Sequence, residues 1–506
     1  MPENEQVKHR GLLTICVMLA TIMQALDTTI ANVALPYMQG SLGATLDQIN
    51  WVLTSYIVAA AIMMPVTGFL ASRFGRKKLF LVTVAGFTVA SILCGIAASI
   101  EQMVLFRLLQ GVFGAPLVPL SQAVLLDSYP KERHGSAMAI WGVGVMVGPI
   151  LGPTLGGYLT EVYNWRWVFY INLPVGILTF FGLSAFLSES NLRNIRFDWF
   201  GFIALGVAIG SFQMMLDRGE QLDWFSSTEV MLELVLAVLA VYLFLVHTFT
   251  ADHPFIDPRM FKDRNFSLGL ICIFMVGIIL LATLALLTPY LQNLMGYPVL
   301  TAGILLAPRG IGTMVAMMMV GRLINVIDAR LMILIGLLLT AYVLWEMTGY
   351  TPNVSQQTLV IQGILQGAGL GFMFVPLSTI AFATLPAQFR TEGTALFSLM
   401  RNIGSSIGIS LVIFLLTHNT QIMHSMLVEH VTHFNHALRD PGVSHIWNMA
   451  TVAGRAALNA EVTRQATIVA YNNDFKLMMI IALVAIPFIF LLRRAQPSTV
   501  ETAVLE

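Results

Sequence analysis

The sequence predicts an all-α polytopic membrane protein with fourteen spanning helices, grouped as six, two and six. Three observations predict it. Of 506 residues, 57% are hydrophobic and only 11% charged, with a mean hydropathy of +0.78; a soluble domain carries roughly 25% charged residues. The apolar residues gather into stretches of about 20, the length that crosses a hydrocarbon core. Finally, a pair of helices starting near Leu109 recurs near Leu365.

The first stretch, 12–34, follows a polar start, Met1 to Gly11. It is too long for a signal-peptide core of roughly 7–15 residues and no small-residue cleavage site follows, so it reads as a retained helix. Spans at 50–71 and 79–98 flank a loop of glycines and basic residues. Those at 103–126, 137–160 and 166–187 complete a first set of six. Two more, 198–216 and 229–250, precede a second set at 267–290, 301–324, 331–349, 358–384, 394–416 and 475–493. The expected units are 1–188, a six-helix bundle; 189–266, two inserted helices with linkers; and 267–506, a second six-helix bundle.

The repeat sets this grouping. "LQGVFGAPLVPLSQAVLLDSYPKERHGSAMAIW" from Leu109 shares Leu-Gln-Gly, Pro-Leu-Ser and later Pro, Arg and Gly with "LQGAGLGFMFVPLSTIAFATLPAQFRTEGTALF" from Leu365. The fourth and fifth helices therefore match the twelfth and thirteenth. Duplicated bundles of this kind build many secondary transporters, with the substrate site at the midplane between halves.

An even number of spans puts both termini on one side. Loops on that side carry Arg73, Arg76, Lys77, Lys78, Lys131, Arg133, Arg193, Arg196, Arg259, Lys262, Arg264, Arg493 and Arg494; the short loops opposite carry only Arg166 and Arg218. The positive-inside rule makes the first side cytoplasmic. One opposite loop is long, Thr417 to Asp474, and holds six of the ten histidines: His418, His424, His430, His433, His436 and His445. Steps of three between His430, His433 and His436 allow a metal site or pH sensor, but no carboxylate or cysteine converges on them, and a partly helical polar loop is expected with no metal. Cys16, Cys94 and Cys272 have no ligand spacing and read as buried small hydrophobes. A polybasic nucleic-acid face is absent, as are H-E-x-x-H, G-x-S-x-G and a Walker A loop, so neither an enzyme nor direct ATP drive is expected.

Charged and amide groups inside the spans are the candidate site. "QALDTTIANVALP", Gln24 to Pro36, puts Asp27 near mid-membrane, where an ionisable residue is costly and marks function by default. With Arg107 facing the same cavity, the carboxyl could alternate between protonated and paired states; the plainer reading is that it accepts hydrogen bonds from Thr28, Thr29 or Asn32 and orders the first helix. Arg309 in "LAPRGIG" and Arg401 in "SLMRNIGSSIG" either counter an anionic substrate or cap carbonyls. Gln24, Gln366 and Asn402 are candidate cavity-lining amides.

At these motifs the chain resembles the major facilitator superfamily, in particular its fourteen-helix drug:proton antiporters, over essentially its whole length. "GFLASRFGRKK" resembles the family's cytoplasmic-loop motif, with Gly68, Arg73, Gly75, Arg76 and Lys77 matching and Ser72 where an acid is usual. "RLLQG" holds the membrane-embedded arginine, Arg107. "GVMVGPILGPTLGG" is similar to the antiporter signature, with Gly144, Gly148, Pro149, Gly152, Pro153, Gly156 and Gly157 largely at four-residue spacing, which lets helices pack backbone to backbone. "WRWVFYINLPVG" and "QMMLDRGEQLDWFSS" resemble EmrB-type exporters of Gram-negative bacteria. The resemblance implies a major facilitator fold in the inner membrane and multidrug efflux by drug:proton antiport. It implies Asp27 and Arg107 as the proton-coupling pair, the proton gradient as energy source and no cofactor. Expected partners are hydrophobic drugs, protons, a periplasmic adaptor (EmrA-like) and an outer-membrane channel (TolC-like). The alternative is a dedicated exporter or importer of one metabolite or siderophore.

Overall fold

A computed structural model describes residues 10–189, 197–324, 326–432 and 447–493. All regular secondary structure among these residues is helix, with no strand. In order, the helices are α1 (Arg10–Leu42), α2 (Leu46–Met63), α3 (Val66–Phe74), α4 (Arg76–Ile96), α5 (Ile100–Gly114), α6 (Leu117–Ser128), α7 (His134–Val162), α8 (Trp167–Tyr170) and α9 (Asn172–Phe186). Then come α10 (Trp199–Arg218), α11 (Thr228–Thr250), α12 (Arg264–Pro289), α13 (Val299–Leu323), α14 (Ala329–Met347), α15 (Gln356–Ala383), α16 (Arg390–Val428) and α17 (Val452–Leu491).

Local chemistry sets many of the ends. Thr45 and Gln48 form a reciprocal capping box at the start of α2, and the side chains of Ser99, Asp198, Asp263, Asp328, Ser355 and Thr451 accept from first-turn amides of α5, α10, α12, α14, α15 and α17. Gly75, at φ +88°, makes the turn from α3 to α4, a conformation that favours glycine. Proline breaks two of the expected spans: α2 and α3 are bent by 57° at Pro65, and α5 gives way to α6 at Pro116. Taking α2 with α3, α5 with α6 and α8 with α9, the fourteen expected spans map one to one onto the helices.

The outer loop is more extensively helical than the partly helical loop expected. α16 and α17 have 39 and 40 residues, about 60 Å each at 1.5 Å per residue, twice a core of about 30 Å. They pack along each other, so much of 417–474 is a helical hairpin continuing two spans. Its zip is an amphipathic stripe, Gly454, Leu458, Val462 and Ala466, all buried on α17. His424 Nε2 lies 3.0 Å from Asn459 Oδ1 across the hairpin. His433, His436 and His445 lie outside the described residues, as do Arg193, Arg196 and Arg494. Among the described residues no cluster of His, Cys, Asp or Glu could hold a metal ion.

α1, α4, α5 and α9 pack as one bundle with α2 and α7; α12 to α17 form the other; α10 and α11 pair with each other, and α10 rests on α2 and α16. Glycines set the closest approaches. A Cβ on Gly367 of α15 would lie 1.8 Å from the Arg309 carbonyl oxygen of α13. Gly367→Ala is therefore expected to force α13 and α15 apart at a cost of about 1–3 kcal/mol. The check is thermal unfolding of the purified protein, where an unchanged midpoint would show that the pair relaxes freely.

Candidate functional site

Asp27 lies in the middle of α1 with no exposed surface, and Arg107 of α5 is equally buried. Arg107 Nη1 donates to Asp27 Oδ2 at 2.7 Å. The other carboxylate oxygen accepts from Gln110 Nε2 (2.8 Å) and Asn172 Nδ2 (3.1 Å). Arg107 also donates to Gln110 Oε1 (2.7 Å) and, through Nε, to the Val52 carbonyl (3.0 Å). Its guanidinium stands 4.3 Å from the centroid of the Tyr56 ring, a cation–π distance. Gln24, one turn before Asp27, donates to the Tyr56 hydroxyl at 3.2 Å. Asn172 is held in turn by Ser91, whose hydroxyl donates to the Phe169 carbonyl.

The acid thus sits inside the N-terminal bundle, joined to α2, α4, α5 and α9, and not in an open cavity between halves as expected. Thr28 and Thr29 do not serve it; both hydroxyls return to carbonyls of their own helix, and Thr29 also donates to Gly148 of α7 at 3.0 Å. The physical reason is charge pairing. A buried ion needs a counter-ion and filled hydrogen bonds, and Arg107 with two amides supplies both.

The glycine signature on α7 supports α1 from behind. A Cβ at Gly144, Gly148, Gly152 or Gly156 would meet Met18, the Ala25 backbone, Thr29 or Ile30 within 3 Å, whereas Gly157 faces open space. Four-residue spacing therefore lines one face of α7 against the turn that carries Asp27. Pro149 and Pro153 lie in the helical backbone, but their side chains are outside the described residues.

The remaining candidates fall into two further groups. Arg309 of α13 and Gln366 of α15 are buried and line one small cavity inside the C-terminal bundle. Arg401 and Asn402 sit half-buried on α16, facing the other bundle: Arg401 lies 5.9 Å from the Phe374 ring, itself stacked on Trp141, and Asn402 approaches the Met64 sulfur at 4.0 Å. The structure does not bring the two groups together.

The loop motif forms a lock at the side carrying Arg10 and Arg493. Asp127, at the end of α6, pairs with Arg76 of α4 and with Arg390 of α16, the latter at 2.5 Å. Ser136 donates to the Gly321 carbonyl (2.9 Å) and Thr394 to that of Pro119 (3.1 Å), tying the bundles at the same end. Gly68 packs where a Cβ would strike Glu392. Arg73 is exposed and Lys77 half-buried beside this cluster. An acid-centred lock is thus present although Ser72 replaces the usual acid; Asp127 provides it from another helix.

Sequence reasoning missed Gln110, Asn172, Tyr56 and Asp127, although Gln110 and Asp127 lie within the repeat and Asn172 within "WRWVFYINLPVG". It also missed two buried acids, Glu233 in α11 (6% exposed) and Asp474 in α17 (1% exposed, with neither carboxylate oxygen hydrogen-bonded among the described residues).

Two opposed helical bundles, one of them enclosing a buried charge pair, have the architecture of a membrane transporter, and the comparisons agree. The profile of the Major Facilitator Superfamily matches residues 17–409, and the chain belongs to that family. It is 36% identical to the multidrug export protein EmrB of Haemophilus influenzae over 474 residues, covering 92% of both chains, and 36% identical to EmrB of Escherichia coli over 92% of this chain and 91% of that one. It is also 36% identical to the fatty acid resistance protein FarB of Neisseria gonorrhoeae over 95% of each. Among solved structures, the proton:xylose symporter XylE shares the fold at a TM-score of 0.60 and 11% identity, covering 93% of this chain and 94% of that one.

Asp127→Asn removes the charge that holds Arg76 and Arg390 together. It is expected to loosen this end, raising several-fold the rate at which a Cys placed at Ser136 reacts with a hydrophilic maleimide; an unchanged rate would show that the lock does not limit access.

Proposed function

We propose that this protein is a proton-driven multidrug exporter of the bacterial inner (cytoplasmic) membrane, with both termini cytoplasmic. The observation that carries the reading is the buried Asp27–Arg107 pair on the helix that the α7 glycines hold. Basic loop residues on the terminal side support the orientation, which makes the Asp127 lock a cytoplasmic one.

Protonating Asp27 would turn an acceptor oxygen into a donor and neutralise the acid. Arg107 would lose its counter-ion but keep the Val52 carbonyl, Gln110 and the Tyr56 ring. Removing one partner from a buried pair costs about 3–5 kcal/mol. Moving a two-state equilibrium from 1:99 to 99:1 takes about 5.5 kcal/mol, so one protonation is of the right size to bias the transporter. The route is physical: α1 packs on α7 through Gly148 and Gly152, and α7 packs on α13 of the other bundle, where a Cβ on Gly310 would strike Ile150.

Substrates in this reading are hydrophobic and amphipathic compounds, a class that agrees with the names of the EmrB and FarB relatives. The α16–α17 hairpin, projecting beyond the membrane on the periplasmic side, is the surface we assign to an EmrA-like adaptor leading to a TolC-like channel. The energy source is the proton gradient, with no cofactor.

The test is drug-induced collapse of the pH gradient in everted vesicles. Several hydrophobic drugs are expected to collapse it in wild type and none in Asp27→Asn. Collapse retained in the mutant would move the proton site elsewhere, with Asp474 the next buried acid to replace. No response in correctly inserted wild type would reject the exchange mechanism.

A further inference from the structure

The contacts between the two bundles described above run from the Asp127–Arg390 pair at the terminal end to Ile150 and Gly310 near mid-membrane. Towards the opposite end, α10 packs against both α2 and α16 and so stands between them. On the first bundle, Thr54 of α2 donates to the Asp217 carboxylate, and the Arg218 guanidinium lies 5.4 Å from the centroid of the Trp51 ring. On the second, Ser410 of α16 donates to the Leu216 carbonyl. Ile407 of α16 joins an apolar cluster of Met215, Leu216, Leu222, Trp224 and Val230 from the inserted pair.

The connector from α10 to α11, residues 219–227, is strained. Among the described residues the non-glycine positions with positive φ are Asp223 at +54° and Trp224 at +50°, consecutive in this connector. Left-handed backbone is unfavourable for a bulky side chain and persists only where the surroundings enforce it. Here the Trp224 amide donates to the Gly219 carbonyl at 2.7 Å, and its indole Nε1 donates to Glu220 at 3.1 Å. A Cβ on Gly219 would lie 2.8 Å from the indole, so the turn is closed tightly against the ring. The turn delivers Trp224 to α16, where its ring meets that of Phe414 edge-on at 5.6 Å; Phe414 in turn stacks on His418. Joining α10 to α11 needs no such strain, whereas docking on the second bundle gives it a use.

We propose that the inserted pair is a wedge that holds α2 and α16 apart at the end opposite the Asp127 lock, with Trp224 as its latch on the second bundle. Bringing those two helices together would expel α10 from between them and break the Ser410 and Phe414 contacts. Both contacts therefore stabilise the arrangement in which the lock is closed, and lock and wedge favour one state from opposite ends. The inference deepens the export reading and rests on its two-state movement of the bundles.

The test is the distance distribution between spin labels on Ala98→Cys and Asn353→Cys, exposed positions in one outer loop of each bundle. It uses the purified full-length protein, with no drug and no pH gradient. Wild type is expected to show mainly the longer separation. Trp224→Ala should raise the short-distance fraction about fivefold, equal to about 1 kcal/mol, the size of an aromatic pair. The same variant should raise the maleimide rate at Ser136→Cys by a similar factor. Trp224→Phe keeps a ring against Phe414 and should stay near wild type. Closing at one end with opening at the other is a result that lost packing alone does not give. Unchanged distances in Trp224→Ala, or loosening at both ends together, would overturn the proposal. If that variant does not fold, Ser410→Ala, which removes one bond of the wedge, decides the same point. An unshifted distribution would reject the wedge even where drugs collapse the vesicle gradient. A shifted one without drug-induced collapse would reject the export mechanism and leave the wedge standing.

Discussion

The contact between Asp27 and Arg107 governs the N-terminal bundle because neither charge can be left alone. Each ion costs several kcal/mol to take out of water, and the attraction between them offsets this only when geometry is good and remaining donors and acceptors are filled. Here Gln110, Asn172 and the Val52 carbonyl do the filling, and Tyr56 covers the guanidinium face. Their helices are thereby held in one arrangement around α1. In the proposed exchange, neutralising the acid would take away the centre of this cluster, which is the property a proton-coupled switch needs.

The second constraint is geometric. Small residues on α7 bring α1 close from one side, while the same helix contacts α13 of the opposite bundle on another. α7 therefore touches both the helix that carries the acid and the opposite bundle. At the terminal end, Asp127 with Arg76 and Arg390, and the bonds of Ser136 and Thr394, hold the bundles together. These charges are partly exposed, so each pair is worth little by itself; in the proposed exchange, contacts of this kind would open more readily than a buried pair.

Much of the architecture was legible in the sequence for a simple reason. Long apolar stretches and charged loops are strong, local signals, and the Leu109 and Leu365 repeats fixed the grouping of helices. Asp27 and Arg107 stood out because charges inside spans are rare. Gln110 and Asn172 did not, since a buried amide is ordinary until its partner is known. Polar residues between Thr417 and Asp474 indicate only a partly helical loop; the full extent of the α16–α17 hairpin depends on a stripe at Leu458, Val462 and Ala466 that only a facing helix makes meaningful. Arg309 and Gln366 were each candidates, but their shared cavity follows from the close approach at Gly367, which no linear pattern reveals. Asp127 was one charge among many at the terminal-side loops.

The most direct test of the account is difference infrared spectroscopy of the purified protein on drug addition, in wild type and Asp27→Asn. The account predicts a change in the protonated-carboxyl band of wild type that is missing from the mutant, since drug and proton bias the same pair. The same band change in both proteins would contradict it, because the titrating acid would then lie outside the Asp27–Arg107 cluster.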